Sequence, residues 1–92
     1  MKYGIFSVRD SVAQAFLPPF VLPQQGQAVR SFTQAINDPD HVWNKSPEDF
    51  NLHKLGVFDD DDGSIIYDEN TPIVLKGLQA IGGQAALQEV AS

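Results

Sequence analysis

Gln24-Gln25-Gly26-Gln27-Ala28-Val29-Arg30-Ser31-Phe32-Thr33-Gln34-Ala35-Ile36-Asn37 is the stretch that decides the fold. Val29, Phe32, Thr33 and Ile36 recur at i, i+3, i+4 and i+7, with Ala28 and Ala35 beside them. Gln27, Arg30, Ser31 and Gln34 take the other side. That period puts one apolar stripe on a helix and leaves a polar back. Asn37-Asp38-Pro39 stops it, because the residue before a proline avoids the helical region. A single amphipathic helix cannot bury its stripe alone, so the flanking segments must supply the opposing surface.

Both flanks read as strands. Lys2 to Arg9 carries Tyr3, Ile5, Phe6 and Val8, and Asp10-Ser11 supplies turn chemistry. Ala13 to Leu17 returns as the second strand of a hairpin until Pro18-Pro19, which cannot donate ladder hydrogen bonds. Phe20-Val21-Leu22 continues extended to Pro23. After a polar connection holding Trp43 and Ser46-Pro47, Phe50 to Phe58 reads as a strand, and Gly56 suggests a bulge. Asp62-Gly63 marks a hairpin turn, and Ser64 to Tyr67 returns. Thr71-Pro72 suits the cap and first position of a further short helix through Ile81. Gln84 to Ser92 has enough apolar residues for a short helix or a frayed end. The expected fold is α+β: a small antiparallel sheet of two hairpins with one amphipathic helix on one face, in the order ββαββ plus a weak C-terminal helical segment. Residues 1–81 form one domain in this reading, and 82–92 a Gly-Gly hinge with a flexible or short helical tail.

The chain has 92 residues and no cysteine, which excludes a disulfide scaffold or a thiolate zinc site. Its most apolar run, Ala15 to Leu22, contains two prolines and is far shorter than the roughly 20 residues that span a bilayer. No targeting pattern opens the chain, so no membrane association is expected and the place of action is the cytoplasm. The formal charge of −6 is unevenly placed. Residues 1–58 are balanced, as are 70–92, so the excess belongs to Asp59, Asp60, Asp61, Asp62, Asp68 and Glu69. A low isoelectric point ordinarily argues against nucleic acid. Here it describes one hairpin, and the rest of the surface is free to carry a basic face.

That hairpin can be aligned as a calcium loop with Gly63 at the sixth position and Glu69 at the twelfth. Phe58 then occupies the first position, where a carboxylate is essential, and the flanks are strands rather than helices. A solvated turn is the expected reading, and no cofactor or metal is expected. His41 and His53 find no nucleophile or supporting group at a useful spacing, and no phosphate loop or HExxH-type pair exists, so no enzyme is expected. For nucleic acid the usable cations are Lys2, Arg9, Arg30, Lys45, Lys54 and Lys76 and the possible platforms Tyr3, Phe6, Phe16, Phe20 and Trp43, because single-strand binders pair a cationic groove with exposed rings; Lys2, Tyr3, Arg9, Arg30, Trp43, Lys45 and Lys54 are the leading candidates. The competing reading has the phenylalanines filling the core, with Trp43 either lidding that core or making contacts.

Several segments together carry a resemblance. Ser7-Val8-Arg9-Asp10-Ser11-Val12-Ala13-Gln14-Ala15-Phe16-Leu17-Pro18-Pro19-Phe20, Gly26-Gln27-Ala28-Val29-Arg30-Ser31-Phe32, Asn37-Asp38-Pro39, Ser46-Pro47-Glu48-Asp49-Phe50 and Leu55-Gly56-Val57-Phe58-Asp59 follow one another in consistent order. The chain resembles, from about residue 3 to 73, the small non-structural protein of gokushovirus-type microviruses, phages with single-stranded DNA genomes. The resemblance implies a protein absent from the mature virion that acts in genome replication in the host cytoplasm.

The expectation is therefore a non-enzymatic accessory factor that binds single-stranded DNA weakly, as a homodimer whose linked copies add their contacts. The rival is an adaptor whose acidic turn, Asp59, Asp60, Asp61 and Asp62, docks on a basic surface of a viral or host replication protein. Acidic mimicry of DNA ranks last, because it needs charge spread over more than one turn.

Overall fold

The computed structural model describes residues 1–82. Two long antiparallel strands form its axis: β1 (Lys2–Asp10) and β4 (Phe50–Asp59). Each is bordered by an edge split into two short strands. β2 (Ala15–Phe16) and β3 (Phe20–Leu22) both pair with β1, divided by Pro18-Pro19, which cannot continue a ladder. β5 (Ser64–Tyr67) and β6 (Ile73–Lys76) both pair with β4. All pairings are antiparallel, so the expected two-layer α+β architecture is the one observed.

The bulge expected near Gly56 is present. Ile5 faces Gly56 and Phe6 faces Lys54, which leaves Leu55 as the extra residue. It falls where the outer edge changes hands. Leu55 gives its carbonyl to Asp68 N–H (2.7 Å), and Lys54 N–H donates to the Pro72 carbonyl (3.0 Å), tying the segment between β5 and β6 to β4. A side chain at Gly56 would collide with the Ile66 carbonyl, so the close approach of β5 requires glycine.

The register sorts side chains onto two faces, since directly opposed residues point the same way. Phe6 with Phe20, Gly4 with Leu22, and Val8 with Leu52 and Leu75 share one face. The helix α1 (Gln25–Ile36) lies on it and buries Ala28, Val29, Phe32, Thr33 and Ile36, the stripe read from the sequence. Full burial of a side chain such as Leu52 or Ile36 favours folding by about 1.5–3 kcal/mol relative to leaving it exposed.

Two expectations need correction. The returning strand read over Ala13 to Leu17 shrinks to β2, because the turn runs on to Gln14, which takes a positive φ of 54°. Residues 71–81 are not one helix: Thr71 has φ 37°, incompatible with a cap, and β6 precedes a one-turn helix α2 (Gly77–Ala80). The pull of β4's free edge outweighed the local Thr-Pro signal. Of the two readings of Trp43, the lid over the core is the one observed. The residue sits in a 3-10 turn, Val42–Lys45, half-buried against Phe32 and Phe50 with ring centroids 5.8 and 5.6 Å away. The tail expected over 82–92 lies outside the described residues from Gly83 onward.

Candidate nucleic-acid interface

With α1 and α2 on one side, no helix covers the other face of the sheet among the described residues; its central Ser7 and His53 are buried beside the Leu17 and Thr71 carbonyls they bond, while Phe16, Val21, Ile65, Tyr67 and Ile73 are exposed. Its composition follows from the register. Ile65, Phe58 and Tyr3 form one cross-strand row; Tyr67, Gly56, Ile5 and Val21 the next; Ile73, His53 and Ser7 the third; and Lys76, Asn51, Arg9 and Phe16 the last. An antiparallel sheet with one packed face normally shows water polar groups on the other. This one shows it rings and aliphatic chains bounded by charge.

The last row is cationic and aromatic at once. The Arg9 guanidinium carbon stands 6.0 Å from the centroid of the Phe16 ring, and Phe16 meets His53 edge to face at 5.2 Å. Phe16 is 40% exposed, so its ring has a free side. Local chemistry fixes the cluster. Ser7 Oγ donates to the Leu17 carbonyl at 2.5 Å, which anchors the chain just after Phe16. His53 Nδ1 lies 2.6 Å from the Thr71 carbonyl; a carbonyl only accepts, so Nδ1 carries the proton. Lys76 projects from β6 opposite Asn51, whose Oδ1 accepts from Gly77 N–H at 3.2 Å.

The opposite end of the face is acidic. The Met1 ammonium is 2.6 Å from Asp60, 3.4 Å from Asp61 and 3.9 Å from Asp59. The hydrogen bond to Asp60 raises the pKa of the amino group above its ordinary value, and the same bond lowers that of Asp60. Hydrogen bonding to Asp60 also raises the phenol pKa of Tyr3, so Tyr3 belongs to the acidic end. The carboxylates of Asp59, Asp60 and Asp61 converge closely enough to suit a cation. In this structure their neighbour is that ammonium, and the turn joins two strands, not the two helices of a calcium-binding hand.

The residues expected to form one binding surface are therefore divided. Tyr3 and Arg9 share the open face but lie at opposite ends. Lys2 and Lys54 point to the helix side, where both line a small cleft with Pro23 and Gln25. Arg30 stands exposed on the polar back of α1, and Trp43 and Lys45 belong to the turn beside that helix. Trp43 also walls an apolar groove of about 330 Å³ with Phe20, Leu22 and Phe32. The sequence reading counted Lys76 among the usable cations without placing it in the leading set, and took His53 as an ordinary strand residue. Lys76 enters through the pairing of β6 with β4, which the local Thr71-Pro72 signal concealed, and His53 through its place opposite Ser7 in the β1–β4 ladder. Among the described residues, every ion pair is made by the amino terminus, and no lysine or arginine side chain is committed to an acid.

These features define a small two-layer α+β protein with one sheet face free of helices, cationic at one end and acidic at the other. The chain belongs to the phage ORF5 protein family, whose model matches residues 3–80. Neither a curated protein nor a solved structure matches it.

Proposed function

We propose that this chain is a non-enzymatic accessory factor of phage genome replication that binds single-stranded DNA weakly on the Arg9–Phe16–Lys76 end of the open face. The observation that carries the reading is the meeting of an uncommitted cation and a half-free ring on the helix-free sheet face. A base stacks on the exposed side of Phe16, and Arg9 and Lys76 meet flanking phosphates. The acidic turn does not oppose this. Lys2 to Arg9 spans about 23 Å of strand, more than two screening lengths at physiological salt.

The proposal includes the finer assignment: a microvirus of gokushovirus type, action in the host cytoplasm, and absence from the mature virion. Two phosphate contacts per copy make a weak binder, so a homodimer is the working form, with the second copy acting at high effective concentration. Fluorescence anisotropy with a labelled oligonucleotide tests the reading. Affinity falls between about 50 and 200 mM salt by about sevenfold for one copy with two contacts, and by about fiftyfold for two copies. No binding at tens of micromolar protein and low salt contradicts it.

A second reading, the acidic protein adaptor, is favoured by the exposed Ile65, Ile66 and Tyr67 beside the acidic turn. Replacing Asp59 to Asp62 by Asn separates the two. A DNA binder holds DNA equally or more tightly, whereas an adaptor loses its protein partner.

A further inference from the structure

The geometry points to the outer edge of β5 as a docking site for an extended, basic segment of another protein, which joins the sheet as an additional antiparallel strand. This inference does not rest on DNA binding, because its site lies at the other end of the sheet. Among the described residues β5 pairs with β4 alone, so one side of its backbone is open. Its side chains are unusually bare: Ile65 is 68% exposed, Ile66 67% and Tyr67 62%. Ile65 and Tyr67 stand on the open face with Phe58 and Gly56, and Ile66 on the other with Val57. An added strand therefore covers apolar surface on both sides of the sheet while satisfying backbone groups, the mode in which a sheet edge captures a peptide.

Charge selects the occupant. Asp59 to Asp62 precede β5 and Asp68 and Glu69 follow it, so carboxylates stand at both ends of the free edge. Acidic residues at an edge ordinarily block pairing with a further strand. Here they also discriminate. A second copy added antiparallel brings its own Asp60 to Asp62 beside Asp68 and Glu69, like charge on like. A segment of alternating apolar residues with Lys or Arg at each end meets opposite charge twice. The turn already takes such a group, since the Met1 ammonium lies 2.6 Å from Asp60. One ammonium faces a cluster of carboxylates there, which leaves charge for a guest.

The test uses three peptides with the full chain: Lys-Arg-Val-Thr-Ile-Thr-Val-Arg-Lys, the same peptide with alternate backbone nitrogens methylated, and the version with Glu for every base. Calorimetry at low salt is expected to show binding of the first, with affinity at least about tenfold weaker for each of the others. Asp60→Asn/Asp61→Asn/Asp62→Asn and Ile66→Lys should each weaken the first peptide without altering the circular dichroism of the protein, since all four side chains are exposed. Equal binding of the methylated peptide overturns strand addition, because charge alone would then suffice. Absence of binding at millimolar peptide overturns it too, as does a dimer in sedimentation that Ile66→Lys dissolves. Loss of DNA binding in Arg9→Ala with peptide binding retained separates this site from the open face.

Discussion

Arg9 and Phe16 face each other across the β1–β2 pairing, with the guanidinium carbon 6.0 Å from the ring centroid. Neither residue is needed to hold the core, which lies on the other side of the sheet. The pair therefore separates function from stability. Arg9→Ala and Phe16→Ala should each weaken single-stranded DNA binding, Phe16→Ala by about 1–3 kcal/mol if one base stacks there. Thermal unfolding should move only slightly in either variant. Arg9→Ala should also reduce the salt slope, and Phe16→Ala should leave it unchanged.

Arg30 makes the converse case. On the polar helix face it has no obvious structural job in the sequence, yet α1 lies on the side of the sheet away from Arg9. Arg30→Ala should reduce DNA affinity far less than Arg9→Ala in the same anisotropy assay. An equal loss would place the DNA across the helix layer.

Gly56 tests the bulge that positions both edges. An added methyl group meets the Ile66 carbonyl, so Gly56→Ala should destabilise the fold by about 1–3 kcal/mol. Chemical denaturation measures it, and the loss should be accompanied by faster amide exchange in β5. Gly63→Ala, at a turn with φ 74° and open space around it, should cost about 1 kcal/mol through backbone strain alone.

The helix was readable because its stripe and its stop signal agree, and β1, β4 and β5 were readable because their apolar runs are bounded by turn residues. β6 was not. Ile73-Val74-Leu75-Lys76 follows a Thr-Pro pair that looks like a helix start, and only the unfilled edge of β4 makes it a strand. The site suffered from the same cause. Arg9 was identified from its charge, but its neighbours His53, Phe16 and Lys76 come from three other strands, and their meeting depends on register. The Met1 ammonium, absent from any count of side-chain charge, enters the acidic turn only because β1 and β4 are paired along their whole length.

That ammonium carries a pH signature. Asp60 has a lowered pKa, so its contribution is present above the ordinary carboxylate range near pH 4 and is lost as pH falls. The amino group has a raised pKa, so its contribution is present below about pH 8 and fades as pH rises through the elevated value. The link should hold the turn between those limits. Titration followed by NMR should show Met1 and Asp60 changing together at both ends of the range, while acetylation of the amino group should abolish the alkaline change.

The most direct measurement is a titration of the isotopically labelled protein with an oligothymidine strand, followed by amide and side-chain NMR shifts. The predicted result is a contiguous set of changes at Arg9, Phe16, His53 and Lys76, with Asp59 to Asp62 and the outer side of α1 unmoved. Changes confined to α1 or to the acidic turn, or none at low salt, would contradict the assignment of the open sheet face to single-stranded DNA.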